Sequence, residues 1–240
     1  MTPNTPKALW KKLYLLEDWL ATGFSREHPD LDIDETIAAP ARPAGRIAPT
    51  GIQPADRAGS LAAIASEITA CVKCGLSLNR TMTVPGEGPL DPPVLFIGEG
   101  PGADEDASGR PFVGAAGQYL DTWLPPIGLT RAQCFIANCV KCRPPQNREP
   151  HPDEIAACLP YLEAQIAAVR PRMICCLGRI AAHTLLGTTM SISGLRGKVH
   201  RWKEIPVVVT YHPSAVLRDK TSLRKPVWDD LKLLKNLLPE

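Results

Sequence analysis

From residue 94 onward the apolar positions gather into four short unbroken runs, Val94 to Ile97, Cys134 to Ala137, Met173 to Leu177 and Val207 to Val209. Each is too short for a helix and ends in Gly, Asn or polar residues, the pattern of a strand buried on both faces. Between them apolar residues return at helical spacing, over Gly114 to Leu124, Pro152 to Val169 and Arg179 to Leu186, and again from about Pro226 to Leu238. Strands that alternate with helices predict an α/β fold, a four-stranded parallel sheet with helices on both faces. The glycines of SGLRGKVHRW, Ser193 to Trp202, predict a hairpin or irregular turn before the last strand.

Upstream, Ser60 is the expected N-cap of a helix that carries Leu61, Ile64 and Ile68 toward Cys71. Residues Ala8 to Gly23 put Leu9, Leu13, Leu16 and Leu20 on one helical face, with Trp10 and Trp19 beside it. This predicts an amphipathic N-terminal helix that docks on its own domain or binds a partner. Phe24 to Asp56 has no apolar period and carries prolines at 29, 40, 43, 49 and 54, which reads as a linker. The expected organisation is therefore a helix over 1–23, an Ala/Pro-rich linker over 24–59 and a folded domain over 60–240.

A parallel sheet has a functional consequence. The polar residues Gly98 to Gly102, Asn138, Gly178 with Arg179, and Tyr211 to Ser214 each follow one of the four runs, so they would share one sheet edge, where open α/β sheets hold ligands. The stretch after the first run, GEGPGADEDASGRPFVGAAG, combines glycines with Glu99, Asp104, Glu105 and Asp106. No core requires such a loop, which makes it the first candidate for an active site.

Charge modifies this picture. The net charge is only +2, but residues 61–140 carry about −4 and residues 196–240 about +5 by count. A basic C-terminal quarter beside an acidic loop suits a polyanion held near a site with its own carboxylates. No window approaches the roughly 18 apolar residues of a membrane span, and Met1 to Pro6 lacks a signal-peptide start. A cytoplasmic protein, without a membrane role, is expected.

In such a chain the eight cysteines read as metal ligands or buried thiols rather than disulfides. Cys71 and Cys74 have the spacing that lets two thiolates grip one centre, and Cys142 and Cys158 are the best candidates to complete it. Four thiolates suit a 4Fe-4S cluster or structural zinc, and spacing does not separate the two. Cys134, Cys175 and Cys176 lie inside strand runs and read as small buried hydrophobes.

At the strand ends, His212 opens HPSAVLR, where a histidine is placed to donate to charge developing on a ligand while backbone amides near Ser214 hold a phosphate. Asn138 offers a donor and an acceptor, as reading the amide edge of uracil requires, or else caps a turn. Phe112 is a stacking platform for a base or a core residue.

These residues carry a resemblance. GEGPGADEDxxGRPFVGxAG at Gly98 to Gly117, NCVKCRPPQNR at Asn138 to Arg148 and HPSAVLR at His212 to Arg218, with the four cysteines, resemble family 4 of the uracil-DNA glycosylases, its iron-sulfur type. The likeness runs from about residue 68 to the C-terminus. It implies hydrolysis of the N-glycosidic bond of deoxyuridine in DNA and a structural 4Fe-4S cluster on Cys71, Cys74, Cys142 and Cys158. It also implies that Phe112 stacks on a flipped uracil, Asn138 reads its polar edge and His212 stabilises the departing anion. Leu217 and Arg218 would sit where the superfamily inserts a side chain into the DNA.

Gly100 occupies the position of the water-positioning aspartate in the best-known superfamily signature. Glu105 is the candidate to hold the water instead, with Glu99, Gly100 and Gly102 shaping the pocket. The chain lacks the histidine-containing insert of a sister group that captures uracil covalently, so turnover rather than capture is expected; the expected form is a monomer, and the expected partner single-stranded or mismatched uracil-containing DNA. The rival reading is a non-catalytic, zinc-containing nucleic-acid-binding module, which would have no need of Asn138 and His212.

Overall fold

Strand β1 (Val94–Gly98) is the centre of the molecule, because all five of its residues are buried. Its pleat sends Val94 and Phe96 into one apolar cluster and Leu95 and Ile97 into another, so both faces of the sheet are covered. Burying a side chain such as Phe96 contributes about 1.5–3 kcal/mol, and truncating it to alanine would cost about 3–5 kcal/mol. A computed structural model describes residues 56–238. The predicted N-terminal helix and nearly all of the predicted linker lie outside the described residues.

The remaining strands are β2 (Phe135–Asn138), β3 (Met173–Leu177), β4 (Val199–Trp202) and β5 (Ile205–Thr210), in the order β2-β1-β3-β5-β4. The first four neighbours in that order run parallel, and β4 pairs antiparallel with β5. The sheet thus has five strands rather than the expected four. The fifth comes from the stretch predicted as a hairpin or turn, where Lys203 takes a left-handed φ of 52° between paired residues Trp202 and Ile205. β4 alternates exposed and half-buried positions, so it presents no continuous apolar run to find.

The helices are α1 (Arg57–Thr69), α2 (Ala103–Ser108), α3 (Ala115–Asp121), α4 (Pro152–Val169), α5 (Arg179–Leu186), α6 (Ile192–Leu195), α7 (Pro213–Arg218) and α8 (Lys220–Leu237). Two helix starts differ from expectation. Ser60 does not cap α1 but lies inside it, donating from Oγ to the Asp56 carbonyl at 2.9 Å. α8 begins six residues before Pro226, because the Asp219 carboxylate accepts the Ser222 N–H at 3.0 Å and caps the helix there.

One short segment guards the outer edge of β2. Glu87 exchanges backbone hydrogen bonds with Ile136, at 3.0 and 2.8 Å, in an isolated antiparallel bridge. The adjoining Gly88 has φ 143°, and a Cβ there would lie 2.4 Å from the Cys134 carbonyl oxygen, so only glycine lets this segment approach so closely. Cys134, Cys175 and Cys176 are buried in the core, as expected for small hydrophobes.

Candidate active site and cysteine cradle

The parallel register sets Gly98 of β1 directly beside Asn138 of β2, and the chain leaves β5 through Tyr211 into His212, the N-cap of α7. The loop entering α2 closes the space above them. The resulting crevice, about 560 Å³, is lined by Glu99, Gly100, Gly102, Glu105, Phe112, Asn138, His212, Ser214 and Arg218, together with Pro144, Asn147 and Glu149. Every predicted substrate and catalytic residue is therefore brought to one place. Of the predicted DNA-binding residues, Ser214 and Arg218 line it and Leu217 does not.

Asn138 is 1% exposed, and its Oδ1 has no hydrogen-bond partner. A buried amide oxygen without a donor costs about 1–3 kcal/mol, so this acceptor is set for an incoming group. Its neighbour Gly98 must lack a side chain, since a Cβ there would come within 2.4 Å of that oxygen and 2.5 Å of Phe112 Cζ.

His212 accepts the Ser214 N–H on Nδ1 at 3.2 Å, with the Ser214 hydroxyl at 2.8 Å from the same atom. That contact assigns the ring proton to Nε2. Burial first, and then the charge of Arg218, push its pKa down to about 4 against an opposing pull from Glu105. The imidazole is thus neutral at physiological pH and a donor through Nε2. Its ring lies 5.6 Å from that of Phe112, tilted by 35°.

Phe112 lines the crevice and also belongs to the core, at 5% exposure. Its φ is 52°, unusual for an aromatic residue. Two groups impose that conformation. Arg131 donates to the Phe112 carbonyl at 3.0 Å and to the Pro111 carbonyl at 2.5 Å, and Glu105 Oε1 accepts the N–H groups of Val113 and Gly114, both at 2.9 Å.

Glu105 Oε2 also accepts the Gly102 N–H at 3.0 Å. Three of the roughly four lone-pair positions of a carboxylate are then engaged by backbone, so Glu105 is first a brace of the pocket loop. Glu99 differs. Burial, and then the neighbouring Glu149, raise its pKa, with Arg179 and Arg218 opposing.

Arg131 and Glu87 escaped the sequence reading. Arg131 reaches Glu87 at 2.9 Å and Asp121 at 3.0 Å, and Arg110 reaches Glu87 at 2.9 Å. Burial works to raise the Glu87 carboxyl, but the two guanidinium groups prevail and hold it low. Neither residue lies in a motif whose spacing signals chemistry, so no local pattern points to them.

Cys71 follows α1, Cys74 opens the turn Gly75–Leu78, Cys142 follows β2, and Cys158 lies on α4. All four line one cavity walled by Ile68 and Tyr161. Hydrogen-bond donors already face the sulfurs, with Arg80 Nη1 3.1 Å from Cys142 Sγ and the Lys141 N–H 3.3 Å from Cys158 Sγ. Among the described residues, no three Cys, His, Asp or Glu side chains converge as a single metal ion would require. Four thiols around one cavity, with hydrogen-bond donors facing two of the sulfurs, are a donor set that either a multi-iron cluster or a structural zinc would use.

Among the described residues no helix is long and apolar enough to cross a membrane. Residues 85–232 match the model of the uracil DNA glycosylase superfamily. A type-4 uracil-DNA glycosylase of Sulfurisphaera tokodaii is 46% identical over 187 residues, covering 74% of this chain and 84% of that protein. One from Archaeoglobus fulgidus is 44% identical, covering 74% and 93%. A type-5 uracil-DNA glycosylase of Pyrobaculum aerophilum is more distant, at 33% identity over 55% of this chain and 65% of its own. The matched span contains the crevice from Gly98 to Arg218, and with it Asn138 and His212: the chain belongs to the uracil-DNA glycosylase superfamily.

Proposed function

We propose that this chain is a DNA-repair hydrolase, a monofunctional glycosylase that breaks the N-glycosidic bond of deoxyuridine in DNA, releasing uracil and leaving an abasic site. The observation that carries this reading is the buried, unpartnered Oδ1 of Asn138. Uracil presents an N–H donor at N3 beside a carbonyl acceptor, which matches the acceptor and donor of one asparagine amide. Cytosine presents a lone pair at N3 and an amino group beside it, so the same amide meets it with like against like. Sites built to hydrogen-bond a substrate group reject analogues lacking it by about 10⁴–10⁵.

The base must leave the stack to reach a crevice closed on its inner side, and a mismatch or single strand lowers that cost. Phe112 stacks on it. As the bond from C1′ to the base lengthens, its electron pair moves onto the uracil ring, and the Nε2–H of neutral His212 donates to the carbonyl oxygen where that charge collects. Water adds to the oxocarbenium-like C1′ and passes a proton to a carboxylate. Glu99, whose raised pKa suits proton uptake, is better fitted to this than Glu105 with its three backbone bonds. Ser214 and Arg218 hold flanking phosphate at the rim.

Cys71, Cys74, Cys142 and Cys158 would hold a 4Fe-4S cluster, which when bound contributes architecture by tying the ends of α1 and β2 to α4. The deciding experiment incubates cluster-loaded protein with a single-stranded oligonucleotide containing one deoxyuridine, then treats it with alkali. Cleavage at the uracil site is expected, falling by at least about 10²-fold in Asn138→Ala. Absence of cleavage by the unaltered protein would sink the enzyme reading.

A further inference from the structure

Lys141 lies between Val140 and the cradle residue Cys142, and it is among the largest fully buried side chains, at 1% exposure. Its ammonium donates to the backbone carbonyl of Asn138 at 2.9 Å and to Gln165 Oε1 at 2.6 Å. Gln165, on α4 and also 1% exposed, passes the chain on by donating from Nε2 to the Pro85 carbonyl at 2.7 Å. The backbone of Lys141 is equally engaged. Its N–H faces Cys158 Sγ at 3.3 Å, and its carbonyl accepts the Val84 N–H at 2.8 Å.

Taking an amine wholly out of water is costly, and an apolar side chain of similar length would fill the same volume without that cost. The fixed geometry of the amine is what an apolar side chain would not supply. Asn138 is the last residue of β2, so its carbonyl is free of the sheet's next rung, and the peptide that orients its side chain needs another anchor. The ammonium provides it, three residues along the same turn. The same residue touches Cys158, so the cysteine cradle and the base-reading amide are joined through one side chain and one backbone N–H.

The geometry points to Lys141, seated on Gln165, as a positioning residue that fixes the Asn138 peptide and thereby aims the Asn138 amide into the pocket, coupling the cysteine cradle to base recognition. This rests on Asn138 reading the base. A packing role alone would make Lys141→Met harmless to recognition; a role confined to the cradle would make it lose the cluster.

The test uses the full cluster-loaded chain in six forms: unaltered, Lys141→Met, Gln165→Met, Asn138→Ala and the two double variants that combine Asn138→Ala with each of the others. Single-turnover uracil release, the dissociation constant for a uracil-free oligonucleotide and visible absorbance per protein are measured for each. Lys141→Met is expected to keep its absorbance and its affinity for uracil-free DNA while losing about 10- to 100-fold in release rate. In the double variant with Asn138→Ala its effect should vanish, because residues acting through one another are not additive. Gln165→Met, which withdraws the second anchor and disturbs the fold less, should lose about 3- to 10-fold with the same non-additivity. Losses that multiply in the double variants, or an unchanged rate in both single variants, would overturn the proposal. A crystal structure of Lys141→Met, or of Gln165→Met if the first does not fold, decides the matter even if the unaltered protein releases no uracil. A displaced Asn138 amide is expected, and an unmoved one refutes the coupling without bearing on the enzyme reading.

Discussion

Replacing Glu105 separates two roles that its place in the pocket allows. In Glu105→Ala the N–H groups of Gly102, Val113 and Gly114 lose their shared acceptor. At about 1 kcal/mol for each bond the loss is about 3 kcal/mol. For a domain of this size about 2–4 °C of melting temperature follows each kcal/mol, so a fall of about 6–12 °C is expected. Glu105→Gln retains an oxygen for Val113 and Gly114 but turns an amide NH₂ toward the Gly102 N–H, and should fall about a third as far. Thermal unfolding of cluster-loaded protein, followed by far-ultraviolet circular dichroism, reads both values. Uracil release measured well below either transition should fall with Phe112 displaced. If Glu105 served only to orient water, the alanine variant would melt within about 2 °C of the unaltered protein while losing its rate, and that result would refute the brace.

Three further outcomes follow from the geometry. The pKa of His212 is lowered to about 4 by burial, from an ordinary 6.5, so the unfolded chain binds the extra proton between those values. Its contribution to stability is complete above about pH 6.5 and is lost as pH falls toward 4; urea midpoints from pH 7 to pH 4.5 should drop more for the unaltered protein than for His212→Gln, and parallel curves would contradict the assignment. A Cβ on Gly117 would lie 1.8 Å from the Phe112 carbonyl oxygen, so Gly117→Ala should displace Phe112 and lower single-turnover release by about 10²-fold, and undiminished release would show that Phe112 is not held by this contact. Lys220 and Arg224 are exposed beside Trp228 in a groove of about 750 Å³, within the segment 196–225 that carries net +6 by count. If both meet phosphates, changing them to glutamine should reduce the slope of log affinity against log salt by about 1.4 on single-stranded DNA, whereas an unchanged slope places the strand elsewhere.

What the sequence revealed was what local pattern encodes. The strand cores are legible because residues such as Phe96 and Ile174 face apolar layers on both sides, leaving unbroken runs. Their shared edge follows from parallel topology, and with it the meeting of Gly98, Asn138 and His212. β4 was only half legible, because an edge strand with one solvated face does not spell a run. The brace on Glu105, the hold of Arg131 on Phe112 and the buried amine of Lys141 were not legible. Each depends on partners brought together by tertiary folding, and a lone Arg, Lys or Glu in sequence looks the same whether it is solvated or buried. The aspartate-to-glycine exchange at Gly100 pointed to Glu105 as the replacement, but only the backbone around it reveals how its oxygens are used.

The short bridge at Glu87 has a consequence for assembly. An open β-sheet ends in rows of unpaired peptide groups that can recruit a neighbouring molecule and seed fibrous growth. Here β2 meets the Glu87–Ile136 bridge on one side, and on the other β4 is four residues long with His200 and Arg201 on it and Lys198 and Lys203 at its ends. Both margins of the sheet are thereby discouraged from extending into another copy. Because the Glu87 side chain also anchors Arg131, the residue that blocks one margin helps hold the pocket aromatic, and loosening it would raise the tendency to aggregate together with the loss of a shaped pocket.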